Sequence, residues 1–251
     1  MAFERSIATQ GIILKKRFTR ENDALITLFS PDLGKIQATA RGARKITSHF
    51  GGHLETLNIC ELQLYKTLKN YTVTQCQSIK NFKTIRENLE QCFEALLIVE
   101  IFEKTTAATD HGHELFQLFQ ETLTVLEGKK SSPLVRESFK LKLLDLLGVM
   151  PDISRCFSCQ KRWKEEDEIW MNHDGHLSCK NCKKHLAAQG YLLEFNLMKL
   201  VYHLIKKKFG TIQKIRLQAL HFKNLENLTK FFLQHHLQRD IFAEELLQSI
   251  S

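Results

Sequence analysis

Two Cys-x-x-Cys pairs, CFSC from Cys156 to Cys159 and CKNC from Cys179 to Cys182, stand nineteen residues apart. Two cysteines three positions apart can turn both sulfurs toward one point. A second pair supplies the other two corners of a tetrahedron, the geometry Zn²⁺ prefers, at a spacing typical of structural zinc sites. The expected ligands are Cys156, Cys159, Cys179 and Cys182, holding one Zn²⁺ per chain. Four thiolates leave no open coordination position, so the metal is expected to clamp a polar segment rather than to catalyse. Two disulfides are the competing use of the same residues. Cys60, Cys76 and Cys92 have no local partner and read as buried free thiols, which fits a reducing cytoplasm.

The second set of residues with chemistry to offer is cationic. The 251-residue chain carries a formal net charge of +8, and residues 1–80 hold twelve Lys/Arg against six Asp/Glu. The next stretch, 81–155, holds nine against twelve. A polyanion site is therefore expected in the first third, with a solubility surface as the alternative reading of charge alone. Lys15, Lys16, Arg17 and Arg20 fall at the first strand-to-strand turn, Lys35 and Arg41 on the polar face of a later strand, and Arg44 and Lys45 on the loop after it. Such cations can track a sugar-phosphate backbone without reading sequence, and arginine can grip phosphate bidentately or lie on a base face. Phe18, Phe50 and Tyr65 are candidate stacking rings, although each reads as core before it reads as a platform.

These groups need a scaffold. In residues 1–80 the pattern gives five short strands. ATQGIILKKRF and DALITLF are separated by TREN; SPDLGK punctuates with Pro31 and Gly34; KIQATAR alternates, with Ile36, Ala38 and Ala40 on one face; LNICELQLYK and YTVTQCQSI form a hairpin. Five strands in this length suggest a small closed barrel, and OB and SH3-like versions share the pattern. From Asn88 the period becomes helical. Helices are expected after Asn88, over HELFQLFQETLTVLEG ended by Gly128, and over PLVRESFKLKLLDLLG with Ser132 as cap, Pro133 in the first turn and Gly148 at the end. Beyond the cysteines, YLLEFNLMKLVYHLIKKKFG reads as a helix capped by Gly210 with Lys206, Lys207 and Lys208 in its last turn, followed by helices over NLENLTKFFLQHHLQRD and IFAEELLQSI. The expected class is α+β: a basic barrel domain over 1–80 and a helical domain over 81–251 containing the cysteine motif at 156–182.

Enzymatic signatures are absent. The sequence has no P-loop, Gly-x-Ser-x-Gly, His-Glu-x-x-His or Gly-x-Gly-x-x-Gly. Asp110, His111 and His113 read as an inter-helix loop, and His173, Asp174 and His176 as the turn between the two cysteine pairs. His235 and His236 are adjacent in a helix and point to different faces. No apolar N-terminal segment marks a signal peptide, and no run is long enough to cross a membrane. Binding is better supported than catalysis.

The run GIILKKRFTRENDALITLFSPDLGKIQATARGARK resembles the N-terminal signature of the bacterial recombination mediator family RecO: an apolar strand, Arg17-Phe18, the acidic stretch Glu21-Asn22-Asp23, Gly34, and an Ala-Arg-Gly-Ala-Arg element from Ala40 to Arg44. LLGVMPDISRCFSC resembles the family's segment leading into its first cysteine pair. The resemblance implies an N-terminal OB-fold, a helical C-terminal part and a non-enzymatic role in DNA repair and recombination. Proteins of that family bind single- and double-stranded DNA, anneal complementary strands and, with RecR, help load RecA onto DNA covered by single-strand-binding protein. They act in the cytoplasm, at the nucleoid. It further implies that the acidic, hydrophobic tail of single-strand-binding protein docks on the helical part, with Lys206, Lys207 and Lys208 as a candidate rim. The DNA contacts expected are Lys15, Lys16, Arg17, Arg20, Lys35, Arg41, Arg44 and Lys45. Two other classes compete: a zinc-stabilised scaffold whose basic barrel binds an acidic protein, and a zinc-dependent nucleic-acid enzyme, which needs an open metal position.

Overall fold

The computed structural model of the chain describes residues 6–19, 22–68, 70–128, 132–183 and 190–237. They fall into two compact units divided between 129 and 130.

The first unit begins with five strands: β1 (Ser6–Phe18), β2 (Ala24–Ser30), β3 (Gly34–Ala40), β4 (Ile59–Lys66) and β5 (Tyr71–Lys80). They close in the order β1-β2-β3-β5-β4, with β3 and β5 parallel and the other pairs antiparallel. A closed barrel of this kind leaves no unpaired sheet edge, and the strand order is that of an OB-fold. Its interior holds Ile13, Ala24, Ile26, Leu28, Ala38, Ala40, Leu62, Leu64 and Val73. A bulge interrupts β1 between Ile13 and Lys15. Ile13 lies opposite Leu28, but beyond the bulge it is Lys16 that faces Ile26 and Phe18 that faces Ala24. Directly opposed residues share a face, so the extra residue puts Lys16 and Phe18 on the interior side, at the mouth, and Lys15 and Arg17 on the outside.

Among the described residues this unit also holds three helices: α1 (Lys83–Glu87), α2 (Leu89–Thr105) and α3 (His113–Leu126). The weak alternation of β2 has its cause here, because both faces are buried. Ala24, Ile26 and Leu28 point inward, while Phe29 meets Phe102 of α2 edge-on at 4.9 Å, and Phe102 meets Phe119 of α3 at 4.8 Å. Gly34, at the β2–β3 turn, has φ +68°, and a Cβ there would lie 2.7 Å from the Asp110 carbonyl oxygen and 2.9 Å from that of Ala108. Only glycine meets both the left-handed backbone and the close approach of the α2–α3 loop. This docking ties α1–α3 to the barrel, although the change from strand to helix comes near residue 80.

The second unit contains α4 (Pro133–Leu146), a small sheet of β6 (Ile169–Met171), β7 (Leu177–Cys179) and β8 (Tyr191–Leu193) in the order β7-β6-β8, then α5 (Phe195–Lys206), α6 (Phe209–Ile212) and α7 (Ala219–Leu237). Ser132 Oγ accepts from the Leu134 amide, Pro133 occupies the first turn, and Gly148 at φ +72° ends α4, as its sequence implied. The helix expected from Tyr191 to Gly210 is corrected. Tyr191–Leu193 pairs with β6 as a strand, α5 stops at Lys206 with Lys207 extended, and Gly210 lies inside α6 rather than capping. IFAEELLQSI falls outside the described residues.

Glu137 of α4 is fully buried beside Arg136 and Lys140, and the Thr229 hydroxyl of α7 donates to it. Burial alone would push its carboxyl up. Lys140 and Arg136, with hydrogen bonds from Thr229 and Arg136, instead hold its pKa below the ordinary value. Its stabilising contribution is therefore complete above the ordinary carboxylate range and is lost as pH falls through the lowered folded value. Glu137→Gln leaves the buried Lys140 ammonium without its carboxylate, while Arg136 keeps Glu226, and should destabilise the second unit by about 3 kcal/mol at neutral pH. In denaturant unfolding that deficit should shrink in acid; an equal deficit at both pH values would contradict the assignment.

Candidate metal centre and nucleic-acid interface

The four cysteines converge. Gln160, at φ +60°, turns the chain after the first pair, and the Gln160 amide donates to the Cys156 carbonyl at 2.9 Å. The Phe157 amide donates to the Leu177 carbonyl at 2.7 Å, which fixes the first pair against β7, whose last residue is Cys179. The Cys182 amide returns to the Cys179 carbonyl at 3.0 Å. All four sulfurs lie within 4.8 Å of one another, and Cys159 and Cys179 are 3.8 Å apart. A tetrahedron with Zn–S bonds of about 2.3 Å has edges of about 3.8 Å. The donor set and its size therefore fit a single structural metal ion. The clustered thiols also perturb one another. Burial opposes ionisation of Cys156, but the backbone amides of Cys159, Cys179 and Ser158 bring its pKa down to about 6. Hydrogen bonding to Cys179 and Cys159, joined by burial, pushes Cys182 up to about 12. Four thiolates this close repel one another unless a cation stands among them.

The adjacent histidines have other partners. Asn172 Oδ1 accepts from the Asp174 and His176 amides, Gly175 turns at φ +79°, His176 stacks on Phe157 at 4.0 Å, and His173 meets Tyr191 edge-on. In the α2–α3 loop, Asp110 accepts from the Ala107 amide and His111 Nδ1 bonds to the Thr109 carbonyl.

The cations of the first unit divide into two groups. Lys15 lies 3.8 Å from Glu103 of α2. Lys16 pairs with Glu55 at 2.7 Å, with only 13% of its side chain exposed. Lys35 is expected on a polar strand face, but α2 covers that end of β3. The Lys35 ammonium donates to the carbonyl oxygens of Glu103 and Thr106, the otherwise unpartnered C-terminal carbonyls of α2. Desolvation lowers its pKa, against the raising influence of Glu103 and Asp110. The Lys35 ammonium is thus committed to capping α2 rather than standing on an open strand face. Arg20 lies outside the described residues. Arg17, Arg41, Arg44 and Lys45 are exposed and make no ion pair among the described residues.

Strand pairing brings these four to one end of the barrel. Arg17 lies opposite Leu25, which lies opposite Thr39; Phe18, Ala24 and Ala40 form the next row, and Arg41 follows Ala40. The loop beyond is pinned. Asp23 Oδ1 accepts from the Gly42 amide at 2.7 Å, and the Asn22 carbonyl accepts from the Arg44 amide at 2.9 Å. Gly42 has φ +66°. Asn22–Asp23 and the Ala-Arg-Gly-Ala-Arg element, some twenty residues apart in the chain, are thus two halves of one structure. Arg44 comes to rest 5.7 Å from the Phe18 ring centroid and Lys16 Nζ 5.0 Å from it. Of the three candidate rings, Phe18 is 53% exposed and Tyr65 38%, while Phe50 packs on the barrel core. Residue types and positions alone pointed to the cations. They did not disclose Asp23, whose signal is an acid at a basic hairpin tip, or Lys66, 5.8 Å over the Tyr71 ring at the β4–β5 turn.

In the second unit Lys206 pairs with Asp145 at 3.1 Å, and Lys207 and Lys208 are exposed before α6. A separate groove of about 490 Å³ lies between β8 and α7, lined by Met171, Tyr191, Leu192, Leu228 and Phe231, with Lys230 also on its wall. Sequence periodicity did not reveal it because β8 reads as helix.

Comparison with known proteins gives a consistent result. Residues 1–82 match the family model "Recombination protein O N terminal" and residues 86–243 match "Recombination protein O C terminal". A protein named DNA repair protein RecO from Thermoanaerobacter sp. (strain X514) is 26% identical over 247 residues, 98% of each chain. One of the same name from Dehalococcoides mccartyi (strain ATCC BAA-2100) is 27% identical over 242 residues, covering 96% of this chain and 95% of its own. Another from Acetivibrio thermocellus is 35% identical over 154 residues, 61% of each.

The Asp23–Gly42 bond has a charged acceptor, for which about 1.5–3 kcal/mol is typical. Asp23→Ala should therefore speed hydrogen exchange at the Gly42 and Arg44 amides roughly ten- to a hundredfold, with the barrel interior amides unchanged. Unaltered exchange at both would mean the loop holds itself.

Proposed function

Because the chain belongs to the RecO family of DNA repair proteins, we propose that it binds single- and double-stranded DNA through the free cations at the barrel end and anneals complementary strands. In this reading it works with RecR to help load RecA onto DNA covered by single-strand-binding protein, in the cytoplasm, and it has no turnover site. The supporting observation is the gathering of Arg17, Arg41, Arg44 and Lys45 at one end of a closed barrel while neighbouring lysines are neutralised by Glu55, Glu103 and the end of α2.

Annealing brings two polyanions together. Cations that contact phosphates release counterions and lower the repulsion, and contacts that ignore base identity leave the bases free to pair. A few uncommitted side chains on a rigid rim suit this better than a deep, base-gripping groove. The metal is Zn²⁺ held by Cys156, Cys159, Cys179 and Cys182; it supplies no reaction chemistry and organises the segment between α4 and β8. The apolar groove beside Lys230 suits the acidic, hydrophobic tail of single-strand-binding protein better than Lys206–Lys208 does, since Lys206 is already paired.

Fluorescence-monitored binding and annealing across a salt series test the reading. Affinity for single strands should fall with log salt at roughly −0.7 per phosphate neutralised. Arg41→Ala/Arg44→Ala/Lys45→Ala should weaken binding to all sequences about equally and flatten the slope. Lys35→Met should lower the stability of the first unit and leave the slope alone. A salt-independent affinity, or a slope that responds to Lys35 and not to the triple variant, would overturn it. For the metal, one equivalent of zinc per chain is expected. Its chelation should lower the unfolding midpoint of the second unit; a chelator without effect on unfolding would remove the structural role.

A further inference from the structure

Phe18 stands out at the cationic end of the barrel. More than half of it is exposed although β1 turns it toward the barrel mouth. A large ring left in water at such a position gains little from burial. Two cations lie over the ring, and they differ in freedom. Lys16 is tethered to Glu55 and mostly covered, so it stays beside the ring. Arg44 is exposed and has no ion pair among the described residues, on a loop whose backbone is fixed by Asn22 and Asp23. The ring springs from a paired barrel strand, while the guanidinium over it is free to turn outward and open that face.

An aromatic face with a free guanidinium 5.7 Å from its centroid matches one particular ligand fragment: a nucleobase and the phosphate that joins it to the next nucleotide. Every base has a π-face, so such a platform tolerates any sequence. A base within a duplex already has both faces stacked and cannot use it. Phe50 is packed against the core, and Tyr65 sits on the β1–β4 side of the barrel opposite Ser6, so neither duplicates the arrangement.

We infer that Phe18 is the stacking platform for one unpaired nucleobase of a single-stranded nucleic acid, with Arg44 at the adjoining phosphate. This rests on the nucleic-acid reading above and adds to it a source of single-strand preference that does not depend on charge.

The test uses the full zinc-loaded chain and three fluorescent probes of equal phosphate count: an oligothymidylate, an abasic single strand and a duplex. Wild type should bind the oligothymidylate roughly tenfold more tightly than the abasic strand. Phe18→Ala should abolish that discrimination, Phe18→Trp should keep it, and neither should change the salt slope or the duplex affinity. If Phe18→Ala binds the oligothymidylate as wild type does, or loses affinity for all three probes together with salt slope, the ring is packing for the cations and the inference is overturned. If wild type binds none of the probes, the nucleic-acid reading itself falls, a result distinct from loss of the platform alone.

Discussion

One hydrogen bond with a charged acceptor, from the Gly42 amide to the Asp23 carboxylate, joins the β1–β2 hairpin to the loop that follows β3, beside a second from the Arg44 amide to the Asn22 carbonyl. Without it the loop beyond the last β2–β3 pair would be held to the hairpin by the Arg44–Asn22 bond alone. With it, Arg41, Arg44 and Lys45 stand beside Arg17 and around the Phe18 ring. The bond places an acid in the middle of a cationic surface, where its charge weakens the field on any polyanion. That electrostatic penalty is understandable if position matters more than total charge. A charged acceptor gives the stronger hydrogen bond, and a fixed loop spends less entropy on ordering when it meets its ligand.

Charge in the first unit is sorted by the fold. The β1 bulge decides which members of Lys15-Lys16-Arg17-Phe18 face outward. Helix α2 then takes up Lys35 at its C-terminus and Lys15 through Glu103, and the loop before β4 takes up Lys16 through Glu55. What remains exposed and without an ion pair beside Phe18, among the described residues, is mainly arginine: Arg17, Arg41 and Arg44, with Lys45. Lysine has a flexible stem and three donors suited to capping carbonyls, whereas arginine carries the planar fork that fits phosphate and can lie on rings. The formal surplus of the N-terminal third thus overstates the charge available for binding, and the available part is concentrated at one end.

Much of this was readable from the chain itself, and the failures have physical causes. The cysteine spacing carried its own geometry, because two short knuckles and a fixed ion size leave little freedom. The five strands and the caps at Ser132, Pro133 and Gly148 were legible because each rests on local backbone chemistry. The capping of α2 by Lys35 was not legible, because alternation tells which face a residue occupies and not what covers that face. Tyr191–Leu193 was taken into a helix because three apolar residues fit either period, and only pairing with β6 distinguishes them. The meeting of Asp23 with Gly42 is a tertiary event that no periodicity encodes.

The most direct measurement is a backbone-amide NMR titration of the zinc-loaded chain with a short single-stranded oligonucleotide. The account predicts perturbations concentrated at 17–19, 22–23 and 41–45, fading as salt is raised, with the residues around Cys156–Cys182 quiet. Perturbations confined to the cysteine segment or to the β8–α7 groove, with the barrel end silent, would contradict it.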